Sequence, residues 1–258
     1  MITDPTSGRV LSADYAALLA DLPDESVDLI LTDPPYGIGY QNPYTHDAHD
    51  MLDGDAAPFS YALLAREAYR VLRPGSAVLM FTGWSVYPDH YRDVEAAGFT
   101  MREPVIGQKR PAGATNLDCT FQPNSDWLIF ATKGRFRFQP VTLLRNKRAG
   151  TIPNKGRQPV PEWKQRFPSC WFGTDFPYSS ENSAFQKAND LRHPTIKGQE
   201  FCRWLIELTC PPGGLVVDPF VGSGTVAAAA AECGRQYVVG DVNPTYADMA
   251  ARRLGSLA

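Results

Sequence analysis

The sequence predicts an α/β fold, with a mostly parallel sheet covered by helices on both faces. Two observations carry this. Short apolar runs of strand length alternate with longer stretches whose apolar residues recur at helical spacing. The strand runs are apolar throughout rather than on alternate residues, as strands buried on both faces require. No segment repeats at solenoid spacing. In order, Tyr15, Leu18, Leu19 and Leu22 mark a helix over 14–22, and 27–31 is a strand. Phe59, Leu63, Leu64, Ala68, Val71 and Leu72 mark a helix over 59–72, stopped by Arg73-Pro74-Gly75. A strand at 77–81, a helix at 87–97 closed by Gly98, and a strand at 126–131 follow. The far end repeats the theme: helix 199–209, strand 215–218, a glycine loop, helix 226–233, strand 236–241, helix 244–254.

Composition narrows the class. At 258 residues, 43% hydrophobic and 21% charged, the chain is neither a disordered tail, a collagen-like rod nor a coiled coil. Its longest apolar stretches, such as 226–231, are far short of the ~20 residues that span a bilayer. No basic start followed by an apolar run marks a secretory signal. The five cysteines (Cys119, Cys170, Cys202, Cys210, Cys233) are widely spaced and odd in number, which reads as reduced thiols in a cytoplasmic protein. None forms a Cys-x-x-Cys pair, and the crowded His46-Asp47-Ala48-His49-Asp50 suits no common zinc or iron site. No metal is expected, and that cluster reads as a polar loop.

The net charge of −3 hides an asymmetry. Between Lys133 and Arg166 stand ten basic residues and one acid, Glu162. Lys133, Arg135, Arg137, Arg145, Lys147, Arg148, Lys155 and Arg157 are the candidate contacts to a polyanion. Phe136, Phe138, Trp163, Phe167 and Trp171 interleave with them, and flat rings beside cations suit unstacked bases. A solvated basic loop with ordinary ring packing is the alternative. The segment looks like an insertion in the framework on either side.

In open α/β sheets ligands bind outside the carboxyl ends of the strands. Two strands here end in unusual polar sequence. Leu215-Val216-Val217-Asp218 runs into Pro219-Phe220-Val221-Gly222-Ser223-Gly224-Thr225, where Gly222 and Gly224 permit a tight turn and close approach to a helix N-terminus. The next strand ends at Asp241, whose carboxylate could accept two ribose hydroxyls. No lysine follows the glycines and their spacing misses the dinucleotide fingerprint, so an adenosine ligand without phosphates fits better. The other strand ends at Asp33-Pro34-Pro35-Tyr36. Two prolines fix the backbone, holding the Asp33 carboxylate and the Pro34 carbonyl as neighbouring acceptors. Such a pair matches a group with two N–H donors, and Tyr36 offers a face for stacking. A merely rigid turn is the alternative.

Asp33-Pro34-Pro35-Tyr36 followed, after the basic segment, by Asp218-Pro219-Phe220-x-Gly222-Ser223-Gly224-Thr225 resembles the beta class of amino-methylating DNA methyltransferases. The resemblance spans most of the chain and fades over 135–190. It implies a Rossmann-like S-adenosylmethionine-dependent fold, with the catalytic domain at 1–132 and 191–258 and a target recognition region at 133–190. It implies methyl transfer from S-adenosylmethionine to the N6 amine of adenine, as in the DNA methylation of restriction-modification. The partner would be double-stranded DNA with its target base flipped out. Asp33, Pro34, Pro35 and Tyr36 would be catalytic. Asp218, Phe220, Gly222, Ser223, Gly224 and Thr225 would surround the cofactor, with Asp241 on its ribose, Asp14 toward its adenine and Lys197 in the segment closing its methionine end. In this chain Gly198 follows Lys197 where the family usually has proline. Aspartate at the first tetrapeptide position leans toward adenine over cytosine N4, since many cytosine enzymes have serine there. An RNA or protein methyltransferase would usually place the cofactor loop first, and a catalytically inactive DNA-binding module would not need Asp33 or Tyr36. Family members often form homodimers.

Overall fold

The computed structural model describes residues 8–36, 59–108, 124–139, 170–171 and 197–255. These residues contain nine strands of one sheet: β1 (Arg9–Ser12), β2 (Val27–Thr32), β3 (Leu72–Thr82), β4 (Thr100–Met101), β5 (Val105–Gln108), β6 (Ser125–Thr132), β7 (Cys170–Trp171), β8 (Leu215–Asp218) and β9 (Gln236–Asp241). The spatial order is β1-β9-β8-β2-β3-β6-β5-β7, with β4 also on β6. From β1 through β3 every neighbouring pair is parallel, whereas β6 runs antiparallel to β3, β4 and β5. The six described helices are α1 (Tyr15–Ala20), α2 (Tyr61–Val71), α3 (Tyr87–Ala96), α4 (Gln199–Thr209), α5 (Thr225–Glu232) and α6 (Pro244–Gly255).

Successive side chains of a strand point to opposite faces, and both faces here are apolar. Ile30, Val78, Met80 and Ile129 pack with Leu18, Leu64, Ala68 and Val94 of α1, α2 and α3. Leu29, Leu31, Leu79, Phe81 and Leu128 face Phe201, Leu205 and Ile206 of α4 and Ala229 and Ala230 of α5. All six residues of β2 are buried, which explains its unbroken apolar sequence.

Sequence and structure differ at several places. Arg73-Pro74-Gly75 does not separate a helix from a later strand: α2 ends at Val71 and β3 begins at once with Leu72. Val27 pairs with Leu72 but Leu29 with Ala77, so the Pro-Gly step is a bulge inside β3. Gly75 takes φ +90° there, a left-handed conformation that glycine adopts without strain, and its N–H donates to the Lys133 carbonyl at 2.6 Å. The short strands β1, β4, β5 and β7 carry too few apolar residues to stand out in sequence. β7 lies within the segment expected to be a separate insertion, yet pairs with β5 and extends the sheet. Residues 133–139 also belong to the framework: Lys133 N–H donates to the Ser76 carbonyl and Gln139 N–H to the Leu208 carbonyl.

Candidate active site

The site is assembled where β2, β8 and β9 end side by side. Thr32, the last residue of β2, donates its hydroxyl to Asp218 at the end of β8 across 2.7 Å, although the two are 186 residues apart in sequence. Both are buried, with Asp218 only 2% exposed. Asp218 also accepts the Phe220 N–H at 3.1 Å. Burial raises its carboxyl to a pKa of about 7, against which the hydrogen bonds from Thr32 and Phe220 pull downward.

Asp33 stands one residue beyond this link. Its Oδ1 accepts the Tyr36 hydroxyl at 2.7 Å, and its Oδ2 lies 3.0 Å from the Lys197 ammonium. Lys197 is largely buried and also sits 4.9 Å over the ring of Phe81. Burial, followed by the Asp33 charge, raises the Tyr36 phenol well above its ordinary value, so it stays a hydrogen-bond donor. Pro34 is buried, and no described residue donates to its carbonyl. The tetrapeptide therefore presents a carboxylate and a carbonyl on a rigid stretch of chain. Lys197, distant in sequence, is brought directly to Asp33.

The glycine loop is built as the sequence predicts. Gly222 and Gly224 take φ values of +47° and +79°. Asp241 at the end of β9 accepts the Gly222 N–H at 3.0 Å through Oδ2 and the Asn243 N–H at 3.0 Å through Oδ1, which fixes its carboxylate beside the loop. A carboxylate has about four lone-pair sites, the acceptor type that a ribose diol requires. Asp14 caps α1, accepting the Ala16 N–H at 2.8 Å, and follows Ala13, whose N–H donates to the Asp241 carbonyl. Phe220 stacks on Tyr15 with centroids 5.4 Å apart and meets Phe59 edge-on at 5.5 Å, forming an aromatic wall next to these carboxylates. A fixed acceptor at a strand end, an open glycine turn and an aromatic wall suit an adenosine ligand.

Several expected residues have other duties. Ser223 and Thr225 are buried and their hydroxyls lie 3.1 Å apart; Arg253 donates to the Ser223 carbonyl and to Thr225 Oγ1. Their side chains thus brace the loop from behind instead of facing a ligand. Arg253, itself 6% exposed, was not legible as part of the site, since an arginine in a last helical turn ordinarily reads as a surface cation. Lys133 is the clearest correction among the basic residues. Its ammonium donates to the Tyr69 and Leu72 carbonyls at 2.9 and 2.8 Å and pairs with Glu25 at 3.2 Å, so it fastens the framework and is withdrawn from phosphate contact. Arg135 and Arg137 are exposed, whereas Arg145, Lys147, Arg148, Lys155 and Arg157 lie outside the described residues, as does the His46–Asp50 loop. Among the described residues no cluster of three or more histidines, cysteines or acids is arranged to hold a metal.

Fold and site together define a Rossmann-like, S-adenosylmethionine-dependent methyltransferase. The chain matches the DNA methylase family model over residues 27–252 and belongs to that family. It is a DNA amino-methyltransferase, acting on adenine N6 or cytosine N4, with S-adenosylmethionine as cofactor. Among similar proteins are the type II methyltransferase M.HpaI of Haemophilus parainfluenzae, 27% identical over 96% of this chain and 74% of its own length, and the DNA adenine methyltransferase YhdJ of Escherichia coli, 26% identical over 95% and 82%. The fold is shared with the M1.HpyAVI–SAM complex (TM-score 0.66, 18% identity, 96% of this chain and 99% of that one). It is shared too with the cytosine-N4-specific PvuII DNA methyltransferase (TM-score 0.70, 17% identity, 95% and 86%).

Proposed function

We propose that this chain methylates the exocyclic N6 amine of adenine in double-stranded DNA, with the target base flipped out of the duplex. The observation that carries the reading is the acceptor pair at the end of β2, the Asp33 carboxylate and the Pro34 carbonyl. An exocyclic amine is a poor nucleophile because its lone pair is delocalised into the ring. Accepting both of its N–H groups favours a pyramidal nitrogen and localises that pair. Asp33 already holds two donors, the Tyr36 hydroxyl and the Lys197 ammonium, so an arriving amine takes a place in an organised polar site. Such preorganisation and alignment are the main sources of acceleration here.

Tyr36 serves as the stacking surface for the base. Asp218, Phe220, Gly222 and Asp241 hold the cofactor, with Gly224 shaping the loop, Asp14 at the adenine side and Lys197 at the methionine end. S-adenosylmethionine, when bound, supplies an activated methyl group on a sulfonium. Aspartate at the head of the tetrapeptide supports adenine as the target, and so does the likeness to a relative named as a DNA adenine methyltransferase. The recognition region is 133–190, its first residues hydrogen-bonded to the framework, and the phosphate contacts come from Arg135, Arg137, Arg145, Lys147, Arg148, Lys155 and Arg157. A cytoplasmic location and a homodimer belong to the same reading.

The test is methyl transfer from labelled S-adenosylmethionine to unmethylated DNA of mixed sequence, read by nucleoside mass spectrometry. N6-methyladenine is expected, and N4-methylcytosine would move the target base while keeping the chemistry. Asp33→Asn keeps the size of the side chain but removes its charge. It should lower kcat about a hundredfold or more with cofactor affinity changed only a few-fold. Full activity in that variant would remove Asp33 from the mechanism.

A further inference from the structure

We infer that Trp84 is the residue that enters the DNA beside the flipped nucleotide, stacking its indole on the base pair next to the gap. This rests on the proposed DNA substrate and adds a residue that the tetrapeptide does not contain. Trp84 is 75% exposed, the most exposed of the large apolar side chains among the described residues. An indole with three quarters of its surface in water beside an active site keeps apolar area that stacking on a partner would cover.

Its placement identifies that partner. β2 and β3 are parallel, with Thr32 opposite Met80; β2 ends there and β3 two residues later at Thr82, so 33–36 and 83–84 emerge from the same end of the sheet. Gly83 faces the Tyr36 ring at close range: a Cβ atom added there would lie 3.4 Å from Tyr36 Cδ2. Trp84 is therefore the immediate neighbour of the segment that packs against the tyrosine ring. The presentation is also rigid: Val86 N–H donates to the Gly83 carbonyl at 3.2 Å, closing a tight turn with Trp84 and Ser85 at its tip. Ser85, Pro88 and Asp89 around it are exposed, and Asp89 is paired with Arg92 at 2.7 Å. One indole amid polar surface is too small a patch for a protein interface, which needs roughly 800 Å² per partner. It matches a single base face, since stacking on an aromatic side chain requires only a π surface.

A wedge lowers the cost of leaving the duplex, so its loss should matter most where that cost is highest. Trp84→Ala and Trp84→Phe are compared with the wild type on two duplexes carrying a sequence that the wild type methylates. In one the target base is correctly paired; in the other it faces a mismatch and is already partly unstacked. Trp84→Ala should lower kcat/KM on the paired duplex roughly tenfold to a hundredfold yet act within about twofold of the wild type on the mismatched one. Trp84→Phe should retain most activity on both, and neither change should alter cofactor affinity or Tm. Unimpaired Trp84→Ala activity on the paired duplex overturns the inference, as does an equal loss on both duplexes. So does a change of oligomeric state in Trp84→Ala, which would assign the indole to a second copy of the chain. Failure of the proposed function reads differently, as a wild type that labels no DNA at all.

Discussion

A buried carboxylate is costly when ionised, and Asp218 shows how the site uses one. Its hydrogen bond from Thr32 joins the ends of β2 and β8 and that from Phe220 fixes the turn after β8, but desolvation outweighs them and raises the pKa from 3.8 to about 7. The folded state therefore keeps a proton that the unfolded chain gives up near pH 3.8. The contribution of this group to stability is greatest at acid pH and is lost as pH rises toward 7. His90 runs the other way. Its ring stacks on Tyr61 with centroids 3.7 Å apart, and burial lowers its pKa from 6.5 to about 4, so its contribution is present above pH 6.5 and lost as pH falls toward 4. Asp218→Asn keeps an oxygen that can accept from Thr32 but cannot titrate. In that variant the decline in Tm between pH 4 and 7 attributable to Asp218 should disappear, as followed by thermal unfolding across that range. An unchanged pH profile would mean that Asp218 titrates normally. The sequence marked Asp218 as a site residue, but its proton affinity depends on burial that no local pattern encodes.

At the scale of elements, the glycine loop and α5 are fixed by contact with α6. Gly224 is the N-cap of α5 in a left-handed conformation, φ +79°, and a Cβ there would lie 2.9 Å from Ala250 Cα. Gly224→Ala thus meets two penalties, an unfavourable backbone conformation and a clash with backbone. Together they should cost about 2–4 kcal/mol, measured by denaturant unfolding, with a weakened cofactor site. Loss of less than 0.5 kcal/mol would show that the loop relaxes freely. The need for glycine was legible as Gly-x-Gly after a strand; the closeness of α6 was not. The same division holds elsewhere. Long elements with a full apolar face, such as α2, α4 and β2, were readable to within a residue or two. The bulge of Arg73–Ser76 was not, because the partner that absorbs Gly75 is the Lys133 carbonyl, far along the chain.

For the whole molecule, sheet order is the feature that makes a site. β8 and β9 come last in the sequence yet lie between β1 and β2, so Asp218 and Asp241 end beside Asp33 and Asp14. Since the cofactor loop closes this central seam, occupancy should stabilise the fold as a unit. S-adenosylmethionine at a hundred times its Kd should add about 2.7 kcal/mol, or a rise of roughly 5–10 °C in Tm. Asp241→Ala should lose most of that rise while still folding, and a full rise in the variant would remove Asp241 from the cofactor site. The sequence by itself determined the α/β class, the two polar strand ends and the residue types able to serve an amine and an adenosine, because periodicity and backbone-restricting residues act locally. Tertiary structure decided which of those residues face the site. Lys197 is carried to Asp33, Lys133 is drawn into the framework, Arg253 takes up the Ser223 carbonyl and the Thr225 hydroxyl, and Trp84 is left in water. Each of these outcomes depends on distant partners competing for a charge, a hydrogen bond or an apolar surface, and that competition is resolved only when the sheet closes.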